Sequence, residues 1–180
     1  MPKILDNPKE RILKEAKKML DTNGYKNFSM RELAKNSNIG LGTVYNYFSN
    51  KEAIVRAIIK TDWQNLINEL SNTNSKNIDF VDKMKCIYDG MDIFFTNHVD
   101  IFFELYNSEN KKYSQTKCHN NILEDICSII DEIISYHLNN NTIELTLKNN
   151  LSNFIVSNMI VIIKNKGYTF EDLMTVIIKK

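Results

Sequence analysis

The residues with chemistry to offer are concentrated in one short stretch, Gly42-Thr43-Val44-Tyr45-Asn46-Tyr47, with Lys51 shortly after it. Threonine and tyrosine hydroxyls donate and accept hydrogen bonds but break no covalent bond unaided. Lys51 adjoins the start of a further helical pattern, and a cation beside the free amides of a helix start suits a phosphate. Elsewhere reactive constellations are lacking. No G-x-x-x-x-G-K-[ST] or G-x-G-x-x-G run is present to cradle a nucleotide, and no serine stands in a G-x-S-x-G elbow. Cys118, His119 and Cys127 lack the i, i+3 or i, i+4 pairing of zinc ligands. The carboxylates are scattered. No catalytic residue, metal or cofactor is expected, and the chemistry indicated is recognition.

The elements that must carry these groups are legible on either side of them. Ser29 and Glu32 have the S-x-x-E spacing of a capping box, which opens a short helix with Leu33 and Ala34 as its apolar patch. Asn38 falls where the chain must reverse, and asparagine tolerates the left-handed conformation. Ile39, Val44 and Phe48 are spaced to pin a second short helix, leaving Gly42, Thr43, Tyr45 and Tyr47 to face outward. Ser49 and Glu52 repeat the capping-box spacing and open a long helix through Ile54, Ile58, Ile59 and Trp63 towards Leu70. Two helices joined by so tight a turn describe a helix-turn-helix, whose second member enters a DNA major groove.

Residues 9–56 resemble the DNA-binding domain of the TetR family of bacterial transcriptional regulators. The likeness runs from the amphipathic first helix (Ile12, Ala16, Met19, Leu20) into Asn23-Gly24-Tyr25, through Phe28-Ser29-Met30-Arg31-Glu32-Leu33-Ala34 and Gly42 to Phe48, and ends at Ser49-Asn50-Lys51-Glu52-Ala53. Two positions depart from it. Gly40 replaces a serine or threonine cap, at a cost of a few tenths of a kcal/mol. Leu41 stands where lysine is frequent, exchanging a phosphate contact for an apolar group able to meet a thymine methyl. The resemblance implies a double-stranded DNA operator as partner. Ser29, Arg31 and Lys51 would hold phosphates, and Leu41, Gly42, Thr43, Tyr45, Asn46 and Tyr47 would approach the groove.

Composition is that of an ordinary globular protein. Apolar residues make up 43% and charged residues 25% of the 180-residue chain, and both prolines precede residue 9, so strong helix breakers are otherwise few. The net charge of +1 conceals an asymmetry: residues 1–60 hold 12 Lys/Arg against 6 Asp/Glu, and residues 61–180 hold 11 against 16. A basic head on an acidic body fits a head that meets a polyanion; chance imbalance on solvated surfaces is the plain alternative. No apolar run approaches the roughly 18 residues of a membrane span. Met1 to Asp6 has no apolar core for export, and Cys86, Cys118 and Cys127 are odd in number, which together predict a cytoplasmic protein with reduced thiols.

Beyond a polar loop at 71–77, the spacing predicts helices over 79–97, 113–138 and 143–165, and a short last one opened by a Thr169/Asp172 cap. Methionines and rings crowd the first of these and the segment after it: Met84, Tyr88, Met91, Phe94, Phe95, His98, Phe102, Phe103 and Tyr106. Such soft and rearrangeable groups suit an adaptable apolar pocket for a small-molecule effector, as the resemblance implies, or simply fill a helical core. Ile122, Ile126, Ile129, Ile133, Leu151, Phe154, Ile155 and Ile162 give the next two helices apolar surface on more than one face. In the resembled family such helices pair with those of a second subunit; burial within one chain is the alternative.

The expected architecture is all-α. It has an N-terminal three-helix helix-turn-helix domain (1–50) joined to a larger helical effector-binding and dimerisation domain (51–180). The expected activity is transcriptional repression by a homodimer on a palindromic operator, relieved by an apolar or aromatic ligand. An activator or co-regulator of the same fold that encloses no ligand is one rival. A helical enzyme or carrier with a relic head is the other.

Overall fold

A proline at the start of a helix forfeits no hydrogen bond, because its missing N–H would be unpaired there. Pro8 accordingly opens α1 (Pro8–Asn23) in the computed structural model of the chain. The structure describes residues 7–108, 116–146, 150–165 and 167–179, with side chains described outside 99–122. The helices that follow are α2 (Met30–Asn36), α3 (Leu41–Tyr47), α4 (Lys51–Ser71), α5 (Phe80–Ser108), α6 (Thr116–Asn139), α7 (Leu151–Asn165) and α8 (Phe170–Ile177), with a 3₁₀ turn at Thr73–Ser75. The fold is all-α, and the one β-type pairing among the described residues is an isolated antiparallel bridge between Leu145 and Ile178.

The chain forms two compact units. One comprises Met1–Asp62 with His98–Asn110, the other Trp63–Asn97 with Lys111–Lys180. Helix α4 thus contributes 51–62 to the first unit and 63–71 to the second, and α5 is likewise shared.

In the first unit Ile12, Ala16, Met19 and Leu20 bury the apolar face of α1, as their spacing predicts. Gly24 ends that helix at φ 69°, a conformation glycine adopts without strain, and its N–H bonds Leu20 O at 2.9 Å. In the second unit Phe80, Met84, Ile87, Met91 and Phe94 line the buried side of α5. Helices α6 and α7 pack on each other, and α7 on α8. Thr169 and Asp172 form the reciprocal capping box of α8.

Three boundaries differ from expectation. Helix α5 runs unbroken to Ser108, because no glycine or proline stops it near 97. The cap of α4 is Asn50, whose Oδ1 accepts from Ala53 N at 2.8 Å, one residue after the expected Ser49. The helix expected from residue 143 starts only at Leu151. Asn141 (φ 53°) ends α6 in the left-handed region, with Thr142 N bonded to His137 O and Asn141 N to Leu138 O. The chain then pairs with the C-terminal segment through Thr146 N to Ile177 O and Lys179 N to Glu144 O, both 2.9 Å. Leu147, placed in that helix by its spacing, lies outside the described residues, as do Met1 to Asp6.

Candidate nucleic-acid interface

The orientation of α3 is set by the turn before it. Asn38 sits at φ 52°. Ile39 N bonds Ala34 O at 3.0 Å and Asn38 N bonds Lys35 O at 3.1 Å, the double closure of a Schellman motif with its apolar Ile39–Ala34 pair. The Ser37 hydroxyl donates to Leu33 O at 2.6 Å, and Arg11 Nη2 donates to Ser37 O at 2.8 Å, so α1 clamps the same turn. The partner of Arg11 is a backbone carbonyl 26 residues on, which spacing along the chain does not reveal.

Helix α3 presses Val44 into the core with no exposed surface, and Ile39 and Phe48 flank it, both buried. At about 100° per residue, Gly42 and Asn46 then centre the outward face. Leu41 and Tyr45 lie on one flank of it, Thr43 and Tyr47 on the other. Tyr45 and Tyr47 remain 48% and 45% exposed. Gly42 is exposed, and a Cβ there would meet nothing within 4 Å. A helical glycine costs about 1 kcal/mol relative to alanine, and no contact among the described residues accounts for it. Helix α3 has no side-chain cap at Gly40.

Ser29 caps α2 by accepting from Glu32 N at 3.5 Å. Ser29 is half-buried and Arg31 exposed. At the start of α4 the Lys51 ammonium sits over the Tyr25 ring, 4.2 Å from its centroid, and the Tyr25 hydroxyl donates to Glu52 Oε1 at 2.8 Å. Tyr25 itself is buried. The sequence offers it only as the end of Asn23-Gly24-Tyr25, and an aromatic beside a helix end reads the same whether or not its hydroxyl is used.

The expected effector cluster is packed. Met84 and Met91 have no exposed surface, Phe94 meets Trp63 edge-on at 5.0 Å, and Tyr88 lies 5.3 Å from Phe170. Phe95 is half-buried against Phe94 at 5.6 Å. His98 is buried, and its Nε2 lies 3.2 Å from Asp62 Oδ2. Burial first, and Lys17 after it, lower the His98 pKa, with Asp62 and Asp21 opposing. The side chains of Phe102, Phe103 and Tyr106 lie outside the described residues. A groove of about 630 Å³ lies elsewhere, lined by Ile134, Leu138, Leu145 and Leu151 with Asp131, Glu144 and Lys179.

Of the expected subunit surface, Ile126, Ile129, Ile133, Leu151, Ile155 and Ile162 are buried within the single chain. Helical periodicity marks a covered face without saying what covers it, and here α6 and α7 cover each other. Phe154 alone among those described is exposed, at 37%, with Val161 two turns on at 40%. The Ile122 side chain lies outside the described residues, as do those of Cys118 and His119. No cluster of metal-ligating side chains occurs among the described residues, and none of their helices is long and apolar enough to cross a membrane.

The helix-turn-helix has close relatives. Residues 12–58 match the family model of bacterial regulatory proteins of the TetR family. The chain is 35% identical over 74 residues to the HTH-type transcriptional regulator UidR of Escherichia coli K12, a match covering 41% of this chain and 37% of UidR. The whole fold resembles a transcriptional regulator from Cytophaga hutchinsonii (TM-score 0.71, 20% identity, 93% of this chain and 86% of that one). It also resembles the regulator FadR of Bacillus subtilis in complex with stearoyl-CoA (TM-score 0.59, 18% identity, 92% of each chain). The head, residues 12–58, thus matches the TetR family of bacterial regulatory proteins in sequence, and the whole chain shares the fold of solved transcriptional regulators.

Proposed function

We propose that the protein is a cytoplasmic, homodimeric repressor that reads a palindromic operator with α3 and is released by a small apolar ligand. The observation that carries this reading is the outward face of α3. Two half-exposed tyrosines, Thr43, Leu41 and Asn46 surround a glycine that costs helix stability and serves no contact among the described residues. A glycine there lets a backbone come close, and the hydroxyls and amide suit base edges and phosphates. Ser29, Arg31 and Lys51 fix the register on the phosphates. A second copy docks on the exposed side of α7, through Phe154 and Val161, and sets the two α3 helices on successive major grooves roughly 34 Å apart.

The ligand enters the region of Met84, Tyr88, Met91, Phe94 and Phe95 on α5 by repacking it. Long-chain acyl-CoA is the first compound to try, since FadR of Bacillus subtilis is known in complex with stearoyl-CoA. A coupling of 1–3 kcal/mol, about 5–150-fold in operator affinity, is the usual size of such a response.

Selection from random DNA followed by footprinting tests the reading. It should return a two-fold symmetric site whose protection is lost with stearoyl-CoA, and a lack of enrichment would reject operator binding. The dense packing of Met84, Met91 and Phe94 favours a second reading, a co-regulator of the same fold with no ligand. That version keeps the footprint at every ligand concentration.

A further inference from the structure

Lys51 and Glu52 carry opposite charges at the start of α4, and adjacent helical side chains point about 100° apart. Both nevertheless reach one ring. The Lys51 ammonium rests on the face of Tyr25, 4.2 Å from the centroid, while Glu52 Oε1 accepts the Tyr25 hydroxyl at 2.8 Å. Tyr25 is buried on the head, whereas Lys51 and Glu52 are half-buried. Among the described residues Lys51 has no carboxylate partner. A ring face attracts an ammonium without cancelling its charge, whereas a carboxylate would neutralise it and repel a phosphate.

We propose that Tyr25 is a positioning residue for DNA, which seats Lys51 on its ring and holds Glu52 on its hydroxyl so that the lysine stays free for a backbone phosphate. This rests on the reading of Lys51 as a phosphate ligand. The division of labour within one side chain is separable by mutation. Tyr25→Phe keeps the seat and releases Glu52, which can then compete with phosphate for Lys51. Glu52→Gln removes the competitor, so the pair of substitutions restores what Tyr25→Phe loses. A residue that only filled the core would show no such rescue.

The test uses the full chain and a mixed-sequence DNA duplex, titrated at several salt concentrations. Tyr25→Phe should weaken binding about two- to fivefold, the range of an exposed ion pair that phosphate has to displace. The salt slope should fall towards the roughly 0.9 unit lost per phosphate contact. Tyr25→Phe with Glu52→Gln should return both to wild type, and Glu52→Gln alone should change neither. On the unsubstituted protein, the Lys51 ε-methylene protons should show an upfield ring-current shift, a measurement that needs no variant to fold. Wild-type binding by Tyr25→Phe, no rescue by Glu52→Gln, or an ordinary Lys51 shift would each overturn the proposal. Lys51→Ala separates the levels. If it lowers the slope while Tyr25→Phe does not, the Tyr25 assignment alone falls; if it leaves the slope unchanged, the phosphate role of Lys51 falls with it.

Discussion

Nε2 of His98 on α5 lies 3.2 Å from the carboxylate of Asp62 on α4. The other oxygen of that carboxylate takes the Lys17 ammonium of α1 at 2.6 Å, so one side chain ties three helices of the first unit. Desolvation dominates at His98 and lowers its pKa, and Lys17 adds to the effect. The imidazole is therefore neutral at pH 7 and donates Nε2–H to Asp62. His137 moves the same way, by burial and then by Lys83. The unfolded chain binds the extra protons between the folded pKa and the ordinary value of about 6.5, so stability is full above about 6.5 and declines as pH falls through it. Urea midpoints should drop on acidification below about pH 6.5, and His98→Gln with His137→Gln should flatten the decline. Midpoints that stay level in the wild type would remove the argument.

Val44 and Tyr45 are neighbours in sequence with opposite jobs. Val44 is fully buried, so Val44→Ala should cost roughly 1–3 kcal/mol of stability. Tyr45 is half-exposed, so Tyr45→Ala should stay within about 0.5 kcal/mol while abolishing the operator footprint. Chemical denaturation and footprinting on the same two proteins check the pair. A large loss of stability at Tyr45 would move it into the core and off the DNA.

The head was almost wholly legible because its signals are local. A hydroxyl at a cap, an asparagine at a reversal and a valine at an inward position act within a few residues, and sequence spacing reports such distances. At the start of α4 the S-x-x-E spacing pointed to Ser49, and the cap is its neighbour Asn50. The body was less legible because its apolar faces are covered by distant parts of the chain. Ile126, Ile133 and Ile155 have the same period whether a second subunit or a neighbouring helix covers them. The partnerships of Arg11 with Ser37 and of Tyr25 with Glu52 span 26 and 27 residues and left no periodic trace.

Asn38 offers a direct check on the turn. At φ 52° a β-branched residue is strained, and valine there should cost about 1–2 kcal/mol. Glycine adopts the conformation freely, so Asn38→Gly should fall within about 0.5 kcal/mol of wild type. Because the turn aims α3, Asn38→Val should weaken operator binding beyond its effect on the folded fraction. Equal stability for the two variants would mean that the turn does not hold this conformation in solution.

Gly90 sets opposing effects against each other. A Cβ there would lie 2.8 Å from Leu66 Cδ1 and 3.3 Å from Leu70 Cδ2, closer than ordinary contact. Alanine gains about 1 kcal/mol in helix propensity over glycine. The Leu66 methyl is the end of a half-exposed side chain and can turn aside, whereas the buried Leu70 has to yield by a few tenths of an ångström. The two effects nearly cancel, and Gly90→Ala should fall within about 1 kcal/mol of wild type. Valine adds two methyls to the same gap with a weaker helix preference, so Gly90→Val should cost roughly 1–3 kcal/mol. Leu66→Ala opens the gap, and combining it with Gly90→Val should cost less than the two substitutions separately by about 1 kcal/mol. Additive costs in that double-mutant cycle would mean that α4 and α5 do not meet closely at Gly90.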